Sequence, residues 1–263
     1  MMNYFFRAIR FEFAKIFGSR AWWIIFGIVA VIQPLLALVE AMSLAQIGIT
    51  ATPETHPQLA VALPPLDYFG FDVILFGQAA IVVLGGIAGA SIYRSQELKT
   101  TLLGLNKRMG TFLSKLSAVL VAGIAVSFIS VFITISITHI GLGNQGLDPL
   151  ILSPVAWQFI GYATLDWVLL IVLSFGIGML SRNAIVPLLF MVPQVVGLGD
   201  YLAQKWEWGG YLPVAAGNLL FAIPTDTYPH DPVKGGLILA SWTVVILFMA
   251  AYFFVRRDVG GRY

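Results

Sequence analysis

Residues 114–140 read SKLSAVLVAGIAVSFISVFITISITHI, and after Lys115 this stretch holds no Asp, Glu, Lys or Arg. About 20 apolar residues in helical geometry cross a bilayer, so it is long enough to span one. A strand reading fails. The apolar residues run on continuously instead of alternating over short segments, and lipid admits only helices or closed barrels. The pattern recurs along the chain, at about 21–44, 69–93, 157–180, 184–202 and 236–255, which gives six expected spans. Composition agrees. The 263 residues are 59% hydrophobic and 11% charged, whereas a soluble domain carries about a quarter charged residues. Fifteen Lys+Arg and thirteen Asp+Glu cannot coat a water-facing surface of this size, which excludes a soluble globular protein and a disordered one. A net charge of +2, dispersed along the chain, excludes a nucleic-acid partner. The fold class predicted is an all-α polytopic membrane protein of one transmembrane domain.

Lys and Arg set the orientation. Arg7, Arg10, Lys15 and Arg20 precede the first span; Arg94, Lys99, Lys107, Arg108 and Lys115 lie between the second and third; Arg182 lies between the fourth and fifth. Arg256, Arg257 and Arg262 follow the last span, and only Lys205 and Lys234 fall on the other side. Thirteen against two places both termini in the cytoplasm by the positive-inside rule. The first twenty residues show no short apolar core followed by a small-residue cleavage site, so the N-terminus is expected to be retained. The outer loop 203–235 contains YLPVAAGNLLFAI at 211–223, too short to cross, which predicts an interfacial or re-entrant helix. With no Cys and three scattered His (His56, His139, His230), neither a disulfide nor a metal-ligand spacing is visible.

Two cytoplasmic segments stand out. In residues 3–18, Phe5, Ile9, Phe13 and Phe17 recur every fourth position while Arg7, Glu12 and Lys15 fall largely off that line, which predicts an amphipathic interfacial helix over 1–20. Segment 94–113 has its own helical pattern, with Leu98, Leu102 and Leu105 on one side and Glu97, Lys99 and Lys107 elsewhere. It reads either as a docking helix for a cytosolic partner or as a basic loop that fixes topology.

The chain here resembles the membrane subunit of ABC-2 type exporters. Tyr93-Arg94-Ser95 through Leu98-Lys99-Thr100-Thr101-Leu102-Leu103 resembles the family stretch E-Y-R-x-G-T-L-R-T-T-L-L, and Arg108 and Lys115 match the Arg and Lys that follow it. Ile92 stands where the family has Glu, Gln96-Glu97 replaces Gly-Thr, and Asn106 replaces a common Pro. Gly176 to Asn183 resembles the family's glycine-rich turn between spans four and five, Leu212-Pro213 its outer Leu-Pro, and Arg256-Arg257-Asp258-Val259 its basic tail. The resemblance implies a permease in the bacterial inner membrane, moving an amphiphile such as an antibiotic, peptide or lipid. It implies a separate cytosolic ABC ATPase that holds ATP and Mg, and a second permease copy, identical or paralogous. Coupling to the ATPase would fall on Arg94, Glu97, Leu98, Lys99, Leu102, Lys107 and Arg108. The chain carries no G-x-x-x-x-G-K-[ST] loop, so it is not read as an enzyme, and no cofactor is expected on it.

Within the spans, Asp166 lies nine residues past Trp157, close to mid-depth at about 1.5 Å per residue. A charge there costs roughly 2.5–3.5 kcal/mol, which predicts a protonated, hydrogen-bonded or water-facing carboxyl. Gly123, Ser127, Ser130, Thr134 and Thr138 form one stripe on the third span, expected to meet Asp166. The pair of features reads either as polar helix packing or as the lining of a translocation path. Glu40, past Pro34, is read as facing an outer vestibule, and Asp72 and Asp200 as solvated at the outer boundary. Gly85 and Gly89 permit close helix contact, a dimer partner's helix included. Pro187 and Pro193 predict a bent fifth span. Two other classes remain as alternatives, an ion-coupled transporter using Asp166 and an intramembrane lipid-modifying enzyme. The second lacks support in G-x-S-x-G, H-E-x-x-H or paired aspartates within a span.

Overall fold

A computed structural model describes residues 2–57, 59, 62–93, 108–223 and 231–256, with side chains from Phe6 onward. Every regular element among the described residues is helical. The helices are α1 (Met2–Gly18), α2 (Arg20–Ile47), α3 (Ile74–Ser91), α4 (Arg108–Gly141), α5 (Pro154–Ser181), α6 (Ile185–Lys205), α7 (Pro213–Phe221) and α8 (Pro232–Arg256). All but α1 and α7 are long and apolar enough to cross a membrane, so the chain is a polytopic membrane protein.

The boundaries shift where local chemistry intervenes. α3 starts at Ile74 instead of 69, because Gly70 takes a left-handed turn (φ +85°) pressed against Thr138 of α4. α4 is already helical at Arg108, ahead of the expected 114. No Pro interrupts residues 108–141, so the end of the expected coupling segment continues directly into the third span. α5 is capped at its start by Ser153, whose Oγ accepts from Ala156 N (3.1 Å), with Pro154 in the first turn. It ends at Arg182 in the left-handed conformation (φ 56°, ψ 22°), and that guanidinium stacks over Tyr93, 5.1 Å from the ring centroid.

Two spans are irregular, each at a proline. In α2 the helix widens to a π-turn over Ile28–Ile32, and Gln33 N donates to Ile28 O. Pro34 has no N–H to offer the preceding turn, so the widened turn sits where the α ladder must break. In α6 the break follows Pro193, with Gly197 at φ +100° and ψ −9° inside residues Gln194–Leu198, which bends this span.

α5 occupies the middle of the bundle and runs parallel to α3. A Cβ at Gly85 would strike the Ile171 carbonyl, one at Gly89 the Phe175 carbonyl, and one at Gly178 would come 2.7 Å from Gly86 O. The Gly85–Gly89 contact is therefore with α5 of the same chain. The small residues let the two backbones touch. α7 is packed into the bundle. Val214, Ala215, Ala216, Gly217, Leu220 and Phe221 are buried, and the helix packs against α5 and α8.

Candidate functional site

Asp166 is fully buried on α5. Gly217 of α7 gives it room, because a Cβ there would collide with Asp166 Oδ1. Gln78, on α3, supplies the partner: its Nε2 donates to Asp166 Oδ2 at 2.7 Å and to Asn218 Oδ1 at 3.1 Å. Asn218 Nδ2 in turn donates to Asp200 Oδ1 at 3.3 Å. α7 is held by a further amide, with Val214 N donating to Gln194 Oε1 of α6 at 3.4 Å. A chain of side chains thus runs from Asp200 through Asn218 and Gln78 to Asp166. Asp166 Oδ1 and Gln78 Oε1 make no hydrogen bond among the described residues. Asp166 has no ion-pair partner among the described residues, so the amide of Gln78 is what offsets its desolvation.

The third-span stripe does not meet Asp166. Gly123 lies against Ile171, and Thr134 Oγ1 accepts from Gln33 Nε2 of α2 at 2.9 Å while donating to Ser130 O at 2.7 Å. Ser127 Oγ and Ser130 Oγ are buried without a hydrogen-bond partner among the described residues. The reason is rotation about α5: Ile171 faces α4, and five residues of helix turn Asp166 about 140° away, toward α3 and α7. Glu40, on an exposed face of α2, lies near the Asp72 carboxyl just before α3, so two acidic groups face each other there. Asp200, read from sequence as simply solvated, is half-buried and joins the chain of side chains through Asn218.

At the end of the bundle that carries α1, Glu12 is 2% exposed. Its Oε1 pairs with Lys15 Nζ at 3.2 Å and its Oε2 with Lys115 Nζ of α4 at 3.3 Å. A polar outer face for α1 was the expectation at Glu12; burial wins because two ammonium groups share its carboxylate. The aromatics Phe6, Phe11 and Phe17 are exposed instead. Of the coupling residues, Arg108 Nη1 donates to Val255 O of α8 at 3.1 Å. Arg94, Glu97, Leu98, Lys99, Leu102 and Lys107 lie outside the described residues.

Sequence reasoning missed Gln33, Gln78, Gln194 and Asn218. The signal was present: an uncharged amide in an apolar span must find a hydrogen bond within the protein. Among the described residues no three His, Cys, Asp or Glu side chains come together as metal ligands. The arrangement is a carboxyl held by amides, able to bind a proton, a cation or a polar group. No family model, curated protein or solved structure matches the chain.

Proposed function

We propose that the chain is the membrane subunit of an ATP-driven exporter of the ABC-2 kind, moving an amphiphile and driven by a separate cytosolic ATPase that binds ATP and Mg. On this reading both termini are cytoplasmic, the membrane is a bacterial inner membrane, and two permease copies form the pathway. One observation carries it. The N-terminal amphipathic helix is tied by a buried Glu12–Lys115 pair to the start of α4, just past the basic segment 94–107. A force applied to that segment by a cytosolic partner would reach α4, and through Glu12 also α1. Asp166 and its amide partners lie off this path of force and serve as the polar centre of the bundle.

The test uses the chain with its co-purified ATPase in liposomes. Leu102→Asp and Arg108→Glu are expected to abolish permease-stimulated ATP hydrolysis while leaving the ATPase's basal rate intact. Unchanged stimulation in both variants would place the contact elsewhere. Transport by the chain alone, without nucleotide, would end the reading. A second reading draws on the Asp200–Asn218–Gln78–Asp166 chain, which supports an ion-coupled transporter with Asp166 as the proton site. Transport retained in Asp166→Leu would exclude it.

A further inference from the structure

The outward face of α1 is not the one its four-residue spacing suggests. Phe13 and Ile16 pack against the core, and Glu12 meets Lys115 of α4. Phe6, Arg7, Arg10, Phe11, Ala14 and Phe17 are exposed. At about 100° per residue these six fall within an arc of about 140°, on the side of the helix opposite Glu12. Phe6 and Phe17 lie at one edge of the arc, Phe11 at the other, and the two arginines between them. Glu12 is the one acid in α1, so the arc carries no negative charge. Among the described residues, neither Arg7 nor Arg10 makes a hydrogen bond or an ion pair. The arc is also continuous with a membrane-facing surface. Only Ser19 separates α1 from α2, the first span. Trp23 Nε1 donates to Phe17 O at 2.7 Å, and the two rings lie 6.4 Å apart. Trp23 and Ile24 are exposed on the first turn of that span.

We propose that this arc of α1 recognises acidic phospholipids, with Arg7 and Arg10 on their phosphates and the flanking rings set among the headgroups. Aromatic rings favour that level of a bilayer, and the start of a span places α1 there. A guanidinium on a flexible stem reaches a phosphate from between apolar neighbours and grips it through two parallel N–H donors. An acidic headgroup complements the uncompensated arginines, whereas a zwitterionic one brings a cation of its own. Lipid gathered under the arc would fix the height of α1 and, through Glu12–Lys115, that of the start of α4. This rests on the chain being a membrane protein and is independent of any ATPase partner.

The test measures which lipid collects beside the arc. The chain has no cysteine, so Ala14→Cys carries a single fluorophore there. The labelled full chain is placed in phosphatidylcholine nanodiscs. Quenching is titrated with phosphatidylglycerol or phosphatidylcholine bearing a nitroxide near the ester end of identical acyl chains. Half-maximal quenching by the phosphatidylglycerol probe is expected at a mole fraction lower by about fivefold per arginine engaged. Arg7→Gln/Arg10→Gln in the same labelled chain brings the two curves together, with helix content unchanged by circular dichroism. High salt narrows the gap in the chain that keeps its arginines. If the double variant does not fold, the salt titration carries the test. Coincident curves with both arginines present overturn the proposal, as does a gap that survives the double variant or is indifferent to salt. Shielding of the fluorophore from both probes when a cytosolic partner is bound overturns it too, and gives the face to a protein.

Discussion

Alanine at Gly85 or Gly89 tests the centre of the fold directly. At position 85 the added methyl would strike the Ile171 carbonyl and lie 2.9 Å from Ser174 Cβ; at 89 it would strike the Phe175 carbonyl and lie 3.0 Å from Met179 N. The two carbonyls and Met179 N are backbone atoms of α5, and Ser174 Cβ is fixed directly to that backbone, so none can swing aside as the end of a flexible side chain does. Overpacking of this sort costs about 1–3 kcal/mol per site. A kcal/mol moves the midpoint of a chain of this size by roughly 2–4 °C, so each variant should melt roughly 2–12 °C lower. Gly161, also on α5, has nothing within 4 Å of its would-be Cβ. Gly161→Ala should leave the midpoint unchanged or raise it, since alanine is the better helix former by about 0.5–1 kcal/mol. The assay is thermal unfolding by near-ultraviolet circular dichroism in one detergent, with size-exclusion chromatography on the same samples. Midpoints unchanged at 85 and 89 would refute the α3–α5 seam. Unchanged midpoints with loss of a dimer would move the glycine contact to an interface between copies.

Other outcomes follow from the polar links. Glu12→Ala strips Lys115 of a buried partner and should cost about 3–5 kcal/mol, with most of it recovered in Glu12→Ala/Lys115→Met; equal losses in single and double variants would show that the pair is not formed. Gln78→Leu leaves Asp166 Oδ2 and Asn218 Oδ1 without their donor and should cost about 1–3 kcal/mol, a penalty that shrinks when Asp166→Leu is added; denaturant unfolding of the four proteins reads the coupling. The chain contains no cysteine, so single replacements report accessibility without background. Thr55→Cys, Asn144→Cys and Gly210→Cys should label from outside intact cells, and Asn183→Cys only after permeabilisation. Labelling of Asn183→Cys from outside would reverse the orientation.

The helices were legible because lipid imposes a simple demand, about 20 apolar residues per crossing. Thus 114–140 falls within α4 and 157–180 within α5. What the sequence left dark was the direction each helix faces. A span surrounded by lipid and by other spans is apolar all round, so no hydrophobic stripe marks its inner side. Asp166 could be placed in depth, but its azimuth, toward Gln78 and away from Ser130, depends on how α5 packs. Gly85 and Gly89 announced a close contact without naming the partner. Glu12 was misjudged for a related reason. A charge on an amphipathic helix reads as solvated until a distant cation is brought beside it, and Lys115 lies far along the chain. The segment that carries most of the family resemblance, 94–107, lies outside the described residues.

The links divide the bundle in a way that bears on how it could move. Gln33–Thr134 joins α2 to α4, and Glu12–Lys115 joins α1 to the same helix. Gln78–Asp166 joins α3 to α5, reinforced by Ser174 Oγ donating to Val82 O at 2.6 Å. Between α4 and α5 the contacts are of another kind. Gly123 rests on Ile171, Phe112 lies near Phe175 with centroids 6.3 Å apart, and Phe132 stacks on Trp157 at 5.5 Å. Apolar contact between helices in lipid has no hydrophobic drive and holds by close packing alone. Such surfaces slide at lower cost than hydrogen-bonded ones, which is the setting for shear between packed helices. A push delivered at the α1 end would therefore carry α1, α2 and α4 along the α4–α5 seam, against the tie that Arg108 Nη1 makes from α4 to Val255 O of α8. The other body stays built on α5, which is far more deeply buried than α6 or α8.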